Sequence, residues 1–521
     1  MVSWAEPWVV FEDGDLLAVA KPAGVNTHRA DVHAQDGMYE WVQRQRSDEP
    51  LSVLHRLDKA TSGVLVFGKS AEANRSLTAQ FEQRRVDKSY ELVTSGGAAH
   101  PGVLRCDLSI GGAPASTEFE LTASGPGGHL VTGRPHTGRT HQVRIHAEAS
   151  DLPIRGDADH GGSDAARLFL HAARLRLEHP DGSALDLAVP RPPSFDRLLA
   201  GDAAAGASLR ARVAHEARQA LFDPADTNAY LWIDRDHDGF PDVRVERLGD
   251  VALVLDYREP SVPFPQEWLD GLHEVVDLRG TYVQHRPRGG GGGPARAVAG
   301  SAPARFDVVE LGVRYRIDLE ASATSSGLFL DQRETRRELL RADLAGRTVL
   351  NTFAHTGSLS VAAALAGAET LTLDLSKRYL DWARENLRLN GIDPGDHDFL
   401  YGDALEWMER LARKGRRFDL VLVDPPSTST SRKKGSKRWS VDRDLHALVH
   451  RAAELCAPAG TVYVSTNHRR MPWARFLDHV ERGLAAAGRT GTVDTRTLPL
   501  DHRAGAGDPP YLKAAWLRLD R

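Results

Sequence analysis

The chain has 521 residues, of which 41% are apolar and 26% charged, and its net charge is −5. That length exceeds what one core organises, so several domains are expected, and the acidic balance excludes nucleic-acid binding through the overall field, leaving only local basic patches. Two cysteines, Cys106 and Cys456, with no CxxC or Cys/His spacing exclude a disulfide framework and a cysteine-based zinc site.

No apolar run reaches the ~18 residues of a membrane span, and the opening MVSWAEPWVVFEDGD carries no export signal. The expectation is a cytoplasmic protein with no metal and no membrane partner.

Over residues 1–200, short alternating runs such as LLAVAKP, SGVLVFGK, SYELVTSG and THQVRIHAE are broken by Gly, Pro and Asp, which predicts a mixed, mainly antiparallel sheet domain. Apolar spacing adds a helix over 72–85. Residues 206–304 read as a small strand-rich domain: a helical ASLRARVAHEARQALF, then strands around AYLWID, VRVERLG and VALVLDY, and a glycine linker over 289–293. Within it, DRDHDG (234–239) imitates a calcium loop, but Val245 stands where that motif needs glutamate and Pro241 interrupts it, so a hairpin turn is expected. From 305 to 521, runs such as TVLNTFA, TLTLDLS, FDLVLVDPP and TVYVSTN alternate with helical segments, which predicts a parallel, Rossmann-like sheet. The fold class is thus multidomain, α+β followed by α/β.

Chemistry enters with HRLDKATSG (55–63), where Asp58 stands among Arg56, Lys59 and small hydroxyl residues. A lone Asp in a loop is usually a cap or turn former, so its neighbours decide. KPAGVNTH (21–28), VDKSYELV (86–93), TGRTHQVRIHAE (137–148) and LFLHAARLRLEHP (168–180) accompany it. In this order, over about 8–195, the five segments resemble the RluA-type pseudouridine synthases. The resemblance implies isomerisation of uridine to pseudouridine without a cofactor, with Asp58 as the catalytic carboxylate. Whether it attacks the sugar or takes a sugar proton stays open. Arg139 is implied as the guanidinium that keeps the acid charged, with Arg144 the second candidate, and Tyr90 as the residue that stacks on the base and helps remove its C5 proton. Arg56 is implied to fill the space left by a flipped nucleotide, and Arg56 and Arg144 are the expected RNA contacts in this half.

The second constellation is VLNTFAHTGSLSVAAALAGAETLTLDLS (349–376), a strand, a small-residue turn, a helix and a second strand ending in Asp374. Asp403 in YGDALEW and Asp424 in LVLVDPPSTS follow the next two strands, so three acids stand at three strand ends, where such sheets bind ligands. HTGS lacks GxGxxG, which favours S-adenosylmethionine over a dinucleotide. GLFLDQRETRR (327–337), DLSKRYLDWARENLRLNG (374–391), VDRDLHALV (441–449), VSTNHRRM (464–471) and PPYLKAAWLRL resemble the RlmK portion of 23S rRNA guanine-N7 methyltransferases over about 305–521. The resemblance implies cofactor contacts at Phe329, Asp331, Phe353, His355, Thr356, Gly357, Asp374, Leu375, Asp403, Ala404 and Asp424. Asp424 and Asn467 are candidates to orient the guanine, Asn467 being equally a possible cap of the helix that follows.

Cytosine C5 is disfavoured as the methyl acceptor, because it needs a covalent cysteine where this chain has Ser465, Thr466 and Asn467. SRKKGSKR (431–438) supplies expected RNA contacts at Arg432, Lys433, Lys434, Lys437 and Arg438. Together these features predict a bifunctional rRNA-modifying enzyme acting on 23S rRNA or a large-subunit assembly intermediate, with no DNA partner. In the alternatives, one half acts only as an RNA-binding module, or the whole chain is a noncatalytic assembly factor.

Overall fold

A computed structural model describes residues 4–46, 49–95, 102–259, 263–287, 293–321, 325–429, 439–503 and 510–521. The basic run with Arg432, Lys433, Lys434, Lys437 and Arg438, and all but the last glycine of 289–293, lie outside the described residues.

The first sheet runs Val9–Glu12, Leu16–Lys21, Ser62–Gly68, Leu170–Glu178, Asp87–Thr94, Gly128–Pro135, Thr117–Gly125, Val103–Cys106. Every neighbour on this path is antiparallel except Ser62–Gly68 beside Leu170–Glu178. Ser62–Gly68 is buried at all seven positions, as expected for a central strand covered on both faces. The loop carrying Asp58 feeds directly into it, so the acid sits over the middle of the sheet.

A second, five-stranded sheet follows, in the order Ala229–Asp234, Val243–Leu248, Val251–Asp256, Gly280–His285, Arg296–Gly300. Its one parallel pair, Val251–Asp256 with Gly280–His285, is joined through the helix Gln266–Val275. DRDHDG forms the connection between its first two strands: Asp238 binds Arg218, and Asp234 faces Arg235 and Arg244.

After the hairpin Arg305–Glu310/Val313–Asp318, a seven-stranded sheet runs Asp398–Tyr401, Glu369–Asp374, Thr348–Thr352, Phe418–Val423, Cys456–Thr466, Lys513–Leu519, Gly491–Arg496. The first five strands are parallel, and Lys513–Leu519 pairs antiparallel to both its neighbours. The carboxyl ends of four of those parallel strands carry Tyr401, Asp374, Thr352 and Val423, which brings the three strand-end acids to one edge of the sheet.

The three regions share hydrophobic cores. Trp8, Leu17 and Trp41 pack in one cluster with Trp232, Val243, Val254 and Leu500, and Leu248, Leu253 and Val308 in another with Leu339, Val349 and Leu422. Trp4 and Trp41 lie 5.3 and 5.9 Å beneath the guanidinium of Arg337, a cation–π contact between the amino-terminal residues and the helix Arg333–Arg341.

Buried charge completes the junction. Glu310 accepts from Arg333 at 3.2 Å and from Arg336 at 2.5 and 2.9 Å, Asp501 accepts from Arg333 at 2.7 Å, and Asp238 pairs with Arg218 at 2.6 Å. Arg218 also donates to the Asp501 carbonyl. Three guanidiniums thus meet three carboxylates, and the nearby Arg333 and His502 hold Asp501 far below the ordinary carboxylate range despite its burial. Glu310→Gln leaves two buried guanidiniums short of charge and is expected to lower stability by about 3–5 kcal/mol, measurable as an earlier denaturant midpoint with the folded spectrum retained.

Candidate active sites

Two cavities collect the residues singled out in the sequence. The first, about 590 Å³, opens over the centre of the antiparallel sheet and contains Arg56, Asp58, Tyr90, Arg139 and Arg144. Asp58 is set by its backbone: Thr61 donates to the Asp58 carbonyl, and Thr27 Oγ1 both donates to Leu57 O at 2.9 Å and accepts from Leu57 N at 3.0 Å. The carboxylate faces Arg144 Nη1 at 3.8 Å and His141 Nε2 at 3.9 Å. Tyr90 lies on the strand Asp87–Thr94; burial, reinforced by the charge of Asp58, pushes its phenol up to about 12. Arg56 is exposed at the rim, and Lys88 and Arg174 add positive charge to the walls.

The ion pair belongs to Arg144, and this corrects the expectation for Arg139. His141 takes a left-handed φ of 54° and the helix Gln142–Ala149 starts immediately after it. Arg144 is thereby turned inward, clamped by Asp157 at 2.6 and 2.7 Å with Asp159 beside it. Arg139 stays in the exposed turn and donates to Pro114 O at 3.4 Å. Arg144 as a surface RNA contact is corrected by the same geometry: it is 8% exposed and occupied by carboxylates.

The second cavity, about 650 Å³, lies at the carboxyl ends of the parallel strands and contains Phe329, Asp331, Phe353, His355, Asp374, Leu375, Asp403, Ala404, Asp424 and Asn467. Asp374 accepts from the amides of His355 and Ser376, each at 2.8 Å, while burial raises its pKa. Asp403 caps the helix Ala404–Arg413 by accepting from Glu406 N at 3.1 Å. Phe329, His355 and Tyr379 form an aromatic wall with ring centroids 4.8 and 4.2 Å apart, and burial lowers the imidazole of His355 to about 4, so it is neutral.

Asp424 is held by a network that the sequence reading missed. Ser465 Oγ donates to it at 2.6 Å and Gln332 Nε2 at 3.1 Å, while Gln332 Oε1 accepts from Tyr463 and Thr335 at 2.7 and 2.8 Å. Desolvation raises the Asp424 carboxyl to about 6, against the two donors, with Asp331 adding to the rise. Gln332 stood inside the quoted GLFLDQRETRR and Ser465 inside VYVSTN, but no spacing rule marks a second layer of support.

Two expected cofactor contacts do not line the cavity. Thr356 is buried with its hydroxyl on Gly327 O. Gly357 takes φ +73° against Ala383, where a side chain would collide. Both build the turn that places His355. Asn467 is not a helix cap, since the following helix Trp473–Ala486 starts after Pro472; its Oδ1 accepts from Ser427 Oγ at 3.3 Å at the cavity wall. Cys456 is outside the cavity, fully buried, with burial raising its thiol to about 12. Among the described residues no cluster of three or more His, Cys, Asp or Glu is arranged to hold a metal.

Known proteins match along both halves. A family model for RNA pseudouridylate synthase covers residues 15–149, and one for S-adenosylmethionine-dependent methyltransferase covers 274–486. The Bacillus subtilis protein named "Putative ribosomal RNA large subunit methyltransferase YwbD" is 30% identical over 315 residues, 58% of this chain and 78% of that protein. The chain belongs to this S-adenosylmethionine-dependent methyltransferase family. "Ribosomal RNA large subunit methyltransferase K/L" of Pseudoalteromonas atlantica is 33% identical over 302 residues, and there the chain spans 40% of the relative's length. The crystal structure of SMU.776 complexed with SAH superposes with a TM-score of 0.55 at 25% identity, covering 66% of this chain and 86% of that one.

The second cavity suits S-adenosylmethionine by its chemistry: carboxylates at strand ends for hydroxyl and amino groups, a neutral imidazole that does not repel a sulfonium, and an aromatic wall. Asp374→Ala removes two backbone-anchored acceptor atoms from the cavity wall. It is expected to weaken S-adenosylmethionine binding roughly tenfold to a hundredfold, the loss of one or two charged hydrogen bonds, as read by calorimetry.

Proposed function

We propose that the chain modifies ribosomal RNA twice, forming pseudouridine in the first cavity and methylating guanine N7 in 23S rRNA in the second, and that residues 1–200, 206–304 and 305–521 are its three domains. The pairing of Asp58 with Arg144 carries the first half of this reading. The guanidinium of Arg144, itself clamped by Asp157, stands 3.8 Å from the Asp58 carboxylate, an arrangement that suits either attack on the sugar or removal of a sugar proton. Tyr90, its phenol pushed up to about 12, is neutral and suits stacking on the base. Arg56 and Arg139 on the rim suit the displaced strand and the phosphates.

In the second cavity S-adenosylmethionine supplies an electrophilic methyl group. Asp424 and Asn467 face the space beside the DPP turn, where they hold the acceptor base in line, and Pro425, Pro426 and Leu512 line the same space. Guanine N7 carries its own lone pair and requires no proton removal. Cytosine C5 would need a thiolate, and the one cysteine of this region is buried away from the cavity.

The proposal is tested by nucleoside mass spectrometry of rRNA treated with the full chain and its variants. Asp58→Ala abolishes pseudouridine and leaves 7-methylguanine; Asp424→Ala does the reverse; Cys456→Ala retains both. Loss of methylation in Cys456→Ala would restore the cytosine mechanism. Arg144→Ala lowers the pseudouridine rate at least about a hundredfold, whereas Arg139→Ala acts mainly on KM.

The pH profile of methyl transfer gives a further check. A raised carboxyl loses its charge as pH falls through its own pKa, so kcat/KM is expected to drop below about pH 6, the value at which Asp424 titrates. Ser465 favours the charged form, so Ser465→Ala moves this limb upward. An unchanged limb contradicts the assignment.

A further inference from the structure

The imitation calcium loop and the carboxyl-terminal tail meet at a place that neither proposed reaction uses. Arg503, two residues beyond Asp501, donates from Nη1 to the Ala23 carbonyl at 2.8 Å, and its backbone N–H donates to Asp234 Oδ2 at 3.1 Å. Gly24, at φ +82°, leaves the room this guanidinium occupies; a methyl group there would collide with it. Asp234, Asp238 and Asp501 are the acids whose charges act on Arg503.

The carbonyl that Arg503 holds belongs to the loop beneath Asp58. Gly24 N donates to Lys59 O at 2.7 Å, and the buried Lys21 Nζ donates to Val25 O at 2.7 Å and Lys59 O at 3.3 Å. Thr27, two residues on, is locked reciprocally to Leu57. Residues 21–27 are therefore bonded to both sides of Asp58, and residues 26–28 themselves line the first cavity. The charge of Arg503 is also felt at Lys21 and Lys59.

We infer that Arg503, contributed by the methyltransferase half and anchored through its backbone N–H by Asp234 of the middle sheet, is a positioning residue for the Asp58 site. It orders the loop 22–28 by its bond to Ala23 O. This rests on reading the first cavity as the pseudouridine-forming site.

The experiment uses the full chain. Arg503→Ala is expected to lower kcat for pseudouridine formation about tenfold, as a displaced catalytic group does. KM for RNA, its salt dependence and the methyl-transfer rate stay unchanged. Arg503→Lys restores most of the rate, since an ammonium reaches the same carbonyl. Hydrogen–deuterium exchange of amides 22–28 speeds up in Arg503→Ala but not in Arg503→Lys, a readout that needs no catalysis.

Wild-type exchange and kcat in the alanine variant would overturn the inference. A raised KM with a shallower salt dependence and intact kcat would make Arg503 a phosphate contact instead, and equal losses of both activities would make it a general stability residue. If the wild type forms no pseudouridine, the reading of the cavity fails, and the exchange measurement alone decides whether Arg503 orders the loop.

Discussion

Six buried charges hold the molecule in one arrangement. Arg218, Arg333 and Arg336 are stripped of water and are tolerable only because Asp238, Asp501 and Glu310 stand against them. These groups come from the helix Ala207–Gln219, the DRDHDG turn, the first hairpin of the carboxyl-terminal half, the helix Arg333–Arg341 and the tail. Separating any of them would strand a charge in an apolar medium. The tail is thereby fixed at Asp501, which places Arg503 under the Asp58 loop, while Leu512, further along the same tail, forms a wall of the second cavity.

The acids of the two cavities are prepared for different chemistry by their surroundings. Asp58 is half-buried and faces a guanidinium that is itself clamped. Among the described residues Asp424 has no ion-pair partner; it is recessed between a hydroxyl and an amide, and its carboxyl rises to about 6. The first cavity carries cations of its own, Arg144, Lys88 and Arg174 among them.

Much of this was legible in the sequence because strand ends are legible. The alternation of apolar runs and helical segments located Asp374, Asp403 and Asp424 at successive strand ends, and the cavity contains all three. Asp58 and Tyr90 were singled out by the order of motifs, and the first cavity contains both. The partner of Asp58 was not: Arg139 and Arg144 lie five residues apart, and only the left-handed turn at His141 decides which faces inward. Thr356 and Gly357 sit in the right motif but serve the turn. Gln332 and Arg503 act across 92 and 480 residues of chain, on Asp424 and Ala23, separations that no local pattern encodes.

Two independent chemistries in one polypeptide differ in their need for the methyl donor, and that difference separates them. Unmodified 23S rRNA is incubated with the purified chain with and without S-adenosylmethionine, and its nucleosides are analysed by mass spectrometry. The account predicts pseudouridine in both samples and 7-methylguanine only where the donor is present. Pseudouridine absent from both, or a methyl group on any base other than guanine, would contradict it.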